Sequence, residues 1–277
     1  LAPSFDSYNA TIIGDELTLD YALNEAGTVY MVVLEDGNAI PNASQMKDAA
    51  TGGQALTGQI VTGNFTYDQS PDVVREQVAS AFVRQSLFDI YLTAEDGEGN
   101  LNDGLAIPNV LAQYSPLESD SIVVSTIYNV LGGETWQNTA TDWNTLALSE
   151  RSEIVVENDR ISVLNLSDKA IEGSLGTEVL GLDSLKVLLL SGNSFEGIPL
   201  LTGLTELTTL DVSDNQIDLG DLELNADLFT EDTQYSPQAN IGTRDSLTIP
   251  QGSSYSFDIG VGGVNNTYQW KADYYNT

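Results

Sequence analysis

The strongest constraint on this chain is an internal repeat between residues 161 and 219. The segments ISVLNLSDKAIEG (161–173), LKVLLLSGNSFEG (185–197) and LTTLDVSDNQIDL (207–219) align with their apolar positions in register. Leu164, Leu188 and Leu210 form one column, Leu166, Leu190 and Val212 a second, and Ile171, Phe195 and Ile217 a third, spaced by 24 and then 22 residues. Such a period reads as a solenoid: each repeat contributes one short strand and cannot bury its apolar side alone. Alternation along each strand sends the columns inward. The outward positions are then Val163, Asn165 and Ser167; Val187, Leu189 and Ser191; and Thr209, Asp211 and Ser213. Asn193 and Asn215 fall at the following bend, where an amide can satisfy backbone groups the turn leaves unpaired. The first repeat has Lys169 there instead, as expected of an atypical terminal repeat.

This period and its Leu and Asn columns are those of a leucine-rich repeat. A short solenoid exposes core at its ends, so a cap is expected before it. Val123, Ile127, Val130 and Leu131 recur at helical spacing over 120–131, with Glu118 and Asp120 at the start and Gly132-Gly133 as the stop. Trp136 and Trp143 follow and read as core. DSIVVSTIYNVLGGETW (120–136), a second Trp and VENDRISVLNLS (156–167) resemble the cap and first repeat of Bacteroidetes secreted leucine-rich-repeat proteins. The expected unit is 114–235, with a helical N-terminal cap at 114–158 and repeats at 159–235.

Residues 1–113 read as mainly β. Leu17, Leu19, Tyr21 and Leu23 alternate with Thr18, Asp20 and Ala22, as do Phe88, Ile90, Leu92 and Ala94 with their neighbours. Thr28 to Leu34 suits a central strand. Ala43 to Ala50 is compatible with a short helix, and Val73 to Val83 with helix or strand. LTLDYALNEAGTVYMVVLEDG (17–37) and LFDIYLTAEDGEGNL (87–101) resemble fibronectin type III-like modules of large Bacteroidetes surface proteins. The resemblance implies a β-sandwich lacking its tyrosine-corner hydrogen bond, since Phe88 stands where those modules carry Tyr. SLTIPQGSSYSFDIGVGGVNNTYQWKAD (246–273) resembles the opening strands of an immunoglobulin-like β-sandwich, with Trp270 in the place of its buried Trp. Residues 236–277 are too few to close such a domain. With a chain that begins Leu1-Ala2-Pro3 and shows no signal-peptide pattern, a processed protein or a piece of a longer one is expected.

Composition narrows the chemistry. No Cys and no His among 277 residues removes disulfides, thiolate sites, His-ligated zinc and the usual general base, so no enzyme is expected. A net charge of −32, from 41 acidic and 9 basic residues, repels phosphates. Nucleic acid and anionic lipid are therefore poor partners, whereas cationic partners, divalent cations or a salty medium are compatible. No stretch reaches the roughly 20 apolar residues of a membrane span. The expected location is extracellular, at a bacterial cell surface.

Three candidate sites remain. The outward strand face would bind a protein or glycan ligand, or copies of this chain and its neighbours, since solenoids present extended surfaces and exposed Val187 and Leu189 mark contacts. Asp96, Glu98, Asn100, Asn102 and Asp103 place oxygens as Ca²⁺ accepts them, the plainer reading being a polar hairpin loop. Beyond this calcium no cofactor is expected. Asp120-Ser121-Ile122, Asp183-Ser184-Leu185 and Asp245-Ser246-Leu247 look like the O-glycosylation signal of Bacteroidetes exported proteins, which would make Ser121, Ser184 and Ser246 acceptors. The chain reads as an adhesion or protein-recognition segment, with a structural stalk or self-assembling filament subunit as the alternative.

Overall fold

A computed structural model describes residues 1–69, 72–230, 233–239, 250, 252–254 and 262–264. The chain divides into two compact units, Leu1–Ser115 and Pro116–Thr277. The break falls two residues beyond the boundary expected at 113.

The first unit contains β1 (Phe5–Ile13), β2 (Glu16–Leu23), β3 (Gly27–Glu35), α1 (Ala43–Ala50), β4 (Gln59–Tyr67), β5 (Val74–Ala79), β6 (Leu87–Glu95) and β7 (Leu105–Gln113). The strands run β4-β3-β6-β7-β1-β2-β5, antiparallel except where β1 meets β7. That contact is parallel and short, pairing Ile12 with Ala112 and Ile13 with Gln113. It joins a three-stranded half to a four-stranded half. Leu17, Leu19 and Tyr21 of β2 share one buried cluster with Val29, Met31 and Val33 of β3 and Phe88, Ile90 and Leu92 of β6. The two halves therefore close over a common core. Phe88 packs edge-on against Phe82, with centroids 5.3 Å apart.

β6 departs from the half-buried alternation expected of it: Asp89, Tyr91 and Thr93 are buried as well. For Tyr91 the cause is α1, whose Met46 and Ala49 pack with Val32, Leu34 and Tyr91 on the far side of β3 and β6, while Asp89 accepts from the Asn109 amide and the Thr93 hydroxyl donates to Asn102. The helix forms over Ala43–Ala50 because Asn42 and Gln45 make a reciprocal capping box, the Asn42 side chain accepting from the Gln45 amide and the Gln45 side chain from the Asn42 amide. Lys47 then reaches Glu95, which also accepts from the Tyr30 hydroxyl at 2.8 Å. Asn42→Ala is expected to cost about 1 kcal/mol, read from urea denaturation. The ambiguous stretch near Val74 is a strand because Leu17 to Tyr21 of β2 offer it a ladder.

The second unit opens with α2 (Pro116–Val130), followed by β8 (Ile154–Glu157), β9 (Arg160–Asn165), β10 (Glu172–Ser174), β11 (Val187–Leu189), β12 (Ser194–Gly197), β13 (Thr209–Asp211), α3 (Leu219–Leu224) and β14 (Thr233–Gln234). β9, β11, β13 and β14 are parallel and adjacent, and β8 closes the N-terminal edge antiparallel to β9. Leu164 pairs with Leu188 and Leu188 with Leu210, so the first sequence column is one buried rung across three strands. Short 3₁₀ turns at Thr177–Gly181 and Leu201–Gly203 supply the return paths that parallel strands require.

Helix α2 starts earlier than the acidic residues suggested. Pro116 occupies the first turn, where its missing N–H costs nothing. Asp120 is therefore inside the helix and fully buried, accepting from Arg160 at 2.9 and 3.0 Å and from the Ile161 amide at 2.7 Å. The buried face is Val124, Ile127, Tyr128 and Leu131, and Val130 is exposed. This face shares the core of the repeats together with Trp136 and Trp143. Tyr128 stacks on Trp143 at 5.2 Å and meets Trp136 edge-on at 5.1 Å.

Candidate recognition face

The amide ladder behind the strands fixes the geometry of the face. Asn193 accepts from the Lys169 and Ile171 amides and donates to the Leu166 and Leu190 carbonyls. Asn215, completely buried, accepts from Phe195 N–H and donates to the carbonyls of Leu190, Val212 and Ser213. Gln238 continues the series, accepting from Ile217 N–H and donating to the Val212 and Tyr235 carbonyls. The parallel ladder thus runs past residue 235 through an Asn215–Gln238 bridge. At the other end, the Lys169 ammonium donates to the Asn138 carbonyl and to Glu153, both at 2.6 Å. Glu153 in turn accepts from the Trp143 indole at 2.7 Å. The cation therefore ties the first repeat to the aromatic cluster instead of making an amide rung.

With the backbone so held, the outward positions form rows. Val155, Val163, Val187 and Thr209 make one, and Asn165, Leu189, Asp211 and Gln234 the next. Val155 is 45% exposed, and Val163, Val187 and Leu189 are half-buried. Ser167 and Ser191 are half-buried and hydrogen-bonded to each other at 3.2 Å. Ser213 differs from the outward position expected: it is buried, its hydroxyl turned onto Asp211 at 2.6 Å. Val155 was not among the expected face residues, because β8 lies outside the repeat.

Before the strands lies a cleft of ≈ 480 Å³ whose lining includes Glu157, Arg160, Asp183, Lys186 and Glu206. Arg160 is gripped between Asp120 and Asp183, and Lys186 pairs with Glu157 at 2.7 Å. The Arg160 hydrogen bond holds the Asp183 carboxyl below its ordinary range, and the Lys186 hydrogen bond does the same for Glu157. A carboxylate whose folded-state pKa is depressed contributes stability above the unfolded value, about 4, and loses it as pH falls through the folded one. The melting temperature is expected to drop between about pH 4 and pH 2, and the drop to shrink in Asp183→Asn. Scanning calorimetry across that window checks this.

The remaining candidates are placed as follows. Asp96 accepts from the Glu98 and Asn100 amides and the Asn100 side chain. Asn102 accepts from Thr93, the Ala94 amide and the Gly104 amide. These oxygens organise their own loop, and among the described residues no cluster of three or more acidic side chains is arranged to hold a metal. Ser121 and Ser184 are half-buried, and Asp120 and Asp183 before them both bind Arg160, a role the triplet pattern did not signal. Ser246, Trp270 and most of 236–277 lie outside the described residues. Among the described residues no helix is long and apolar enough to cross a membrane.

The family profile described as "Leucine Rich repeats (2 copies)" matches residues 183–224. That segment consists of leucine-rich repeats. It contains β11 and β13 and the Asn193 and Asn215 rungs, so the leucine-rich repeats carry the centre of the face. No curated protein matches the chain. Among solved structures, a leucine-rich repeat protein from Bacteroides thetaiotaomicron VPI-5482 is similar at 11% identity and a TM-score of 0.36, over 73% of this chain and 36% of that one. A family 76 glycoside hydrolase from a bovine Bacteroides thetaiotaomicron strain is similar at 4% identity and a TM-score of 0.26, over 47% of this chain and 25% of that one. The chain thus spans about a third and a quarter of their lengths.

Proposed function

We propose that this chain is a non-catalytic protein-recognition segment of an extracellular bacterial surface protein. Its leucine-rich repeats read a partner across the strand face. Its first unit acts as a spacer of the fibronectin type III kind, and α2 with its aromatic cluster as the cap. The observation that carries the reading is the solvent-facing group Val155, Val163, Val187 and Leu189 on a chain of net charge −32. An apolar strip on so acidic a surface has a cost in solubility that a binding partner offsets. The strand order β4-β3-β6-β7 against β1-β2-β5 supports the spacer assignment.

Sedimentation equilibrium over a wide concentration range tests it. The chain is expected to remain monomeric, leaving the face free for a different molecule. Concentration-dependent association that disappears in Leu189→Asp would make the face an assembly contact and replace the recognition reading with the filament one.

A further inference from the structure

The cleft beside the face has a charge balance that the rest of the site does not use. Arg160 faces two carboxylates, Asp120 and Asp183, and Lys186 faces one, Glu157. Among the described residues Glu206 has no hydrogen-bond or ion-pair partner, and its charge acts on Lys186 at longer range. Among the lining residues three carboxylates, Glu157, Asp183 and Glu206, stand against two cations, Arg160 and Lys186, and Arg160 is also held from behind by the buried Asp120. Both basic side chains are tied back, so neither is free to meet an anion. The Thr205 hydroxyl adds an acceptor to the lining. The volume, ≈ 480 Å³, falls inside the range of roughly 300–1,000 Å³ typical of ligand clefts. Its exposed Lys186 directly precedes Val187 at the start of β11, so the cleft lies at the end of the strand that carries Val187 and Leu189.

We propose that the cleft receives the cationic side chain, Lys or Arg, of a peptide segment whose apolar residues lie along Val163, Val187 and Leu189. This rests on the reading of the strand face as a recognition surface. The occupant is a basic segment because the charge left uncompensated among the described lining residues is negative and the whole chain carries −32, a field that concentrates cations and repels acidic peptides. Glu206 makes the direct contact with the ammonium or guanidinium. Arg160 and Lys186 are positioning residues that keep Asp183 and Glu157 facing the opening.

The test uses the full chain labelled with ¹⁵N and a capped pentapeptide, Val-Thr-Lys-Val-Thr, beside its Lys→Gln analogue. The Lys peptide is expected to move the amide signals of Glu157, Ser184, Lys186, Val187, Leu189 and Glu206, and the Gln analogue to bind about fivefold more weakly. Glu206→Gln should remove that preference, whereas Glu16→Gln, on β2 of the first unit, should leave it intact. Equal binding of both peptides, an effect of Glu16→Gln as large as that of Glu206→Gln, or no shift up to about 10 mM peptide would overturn the proposal. Leu189→Asp separates the two readings. If it abolishes binding of both peptides while Glu206→Gln changes neither, the strand face stands as a recognition surface and the cation cleft falls.

Discussion

Replacing Asn215 by Ala is expected to destabilise the second unit by about 4 kcal/mol. The side chain is completely buried; its removal orphans the Phe195 N–H, while the Leu190, Val212 and Ser213 carbonyls each lose one donor and keep another, from Asn193, Gln238 and the Gly192 amide. Each buried polar group left without a partner costs about 1–3 kcal/mol, and a partial collapse of the turn recovers some of it. Asn215→Asp should be no better. It keeps the acceptor for Phe195 but turns three donated bonds into contacts between a carboxylate and carbonyl oxygens. Asn193→Ala should cost less, about 2 kcal/mol, because Asn193 is only half-buried and water can replace part of its network. Urea denaturation with an unchanged m-value measures all three. A loss below about 1 kcal/mol for Asn215→Ala would mean that the amide ladder does not hold the repeats together.

Lys169→Met is expected to cost about 3–5 kcal/mol, because it leaves the buried Glu153 carboxylate without its cation. The Trp143 indole and the Ser152 hydroxyl still donate to Glu153, but neither carries charge. Adding Glu153→Gln to Lys169→Met should recover much of the loss, since the burial of an unpaired charge is then gone. A double-mutant cycle isolates this coupling. Lys169→Asn is the more discriminating variant. It restores the residue type of the later repeats at this position yet should remain destabilised, because the first repeat is fastened to the cap through Glu153 and the Asn138 carbonyl and not through an amide rung. A Lys169→Asn protein as stable as the parent would contradict that account.

The solenoid is legible in the sequence because its physics is periodic. Leu164, Leu188 and Leu210 had to recur for each repeat to bury one side, and the structure pairs them directly. What the sequence hides is mostly aperiodic. The Asp120–Arg160–Asp183 bridge joins residues 40 apart or 23 apart on elements whose packing no local pattern encodes. The covering of β6 by α1 is similar: Tyr91 reads as solvent-facing until a helix from elsewhere lies over it. Ser213 reads as outward by alternation, but a short hydroxyl can turn onto its own strand neighbour. Gln238 was within reach, since Asn193, Asn215 and Gln238 place an amide at the repeat period of 22 and then 23 residues. The longer side chain and the preceding Pro237 masked it as the start of something new.

For the candidate face, the outward rows followed from alternation, while the cleft did not. It forms where loops from three repeats converge, and its charge balance depends on which ion pairs close. The most direct measurement is photo-crosslinking from a reactive side chain placed at position 189, in the protein as isolated from its native source. The account predicts a crosslink to a different polypeptide through a Lys- or Arg-containing segment, absent when the same probe sits at position 16. A crosslink only to identical chains, or none above that control, would contradict it.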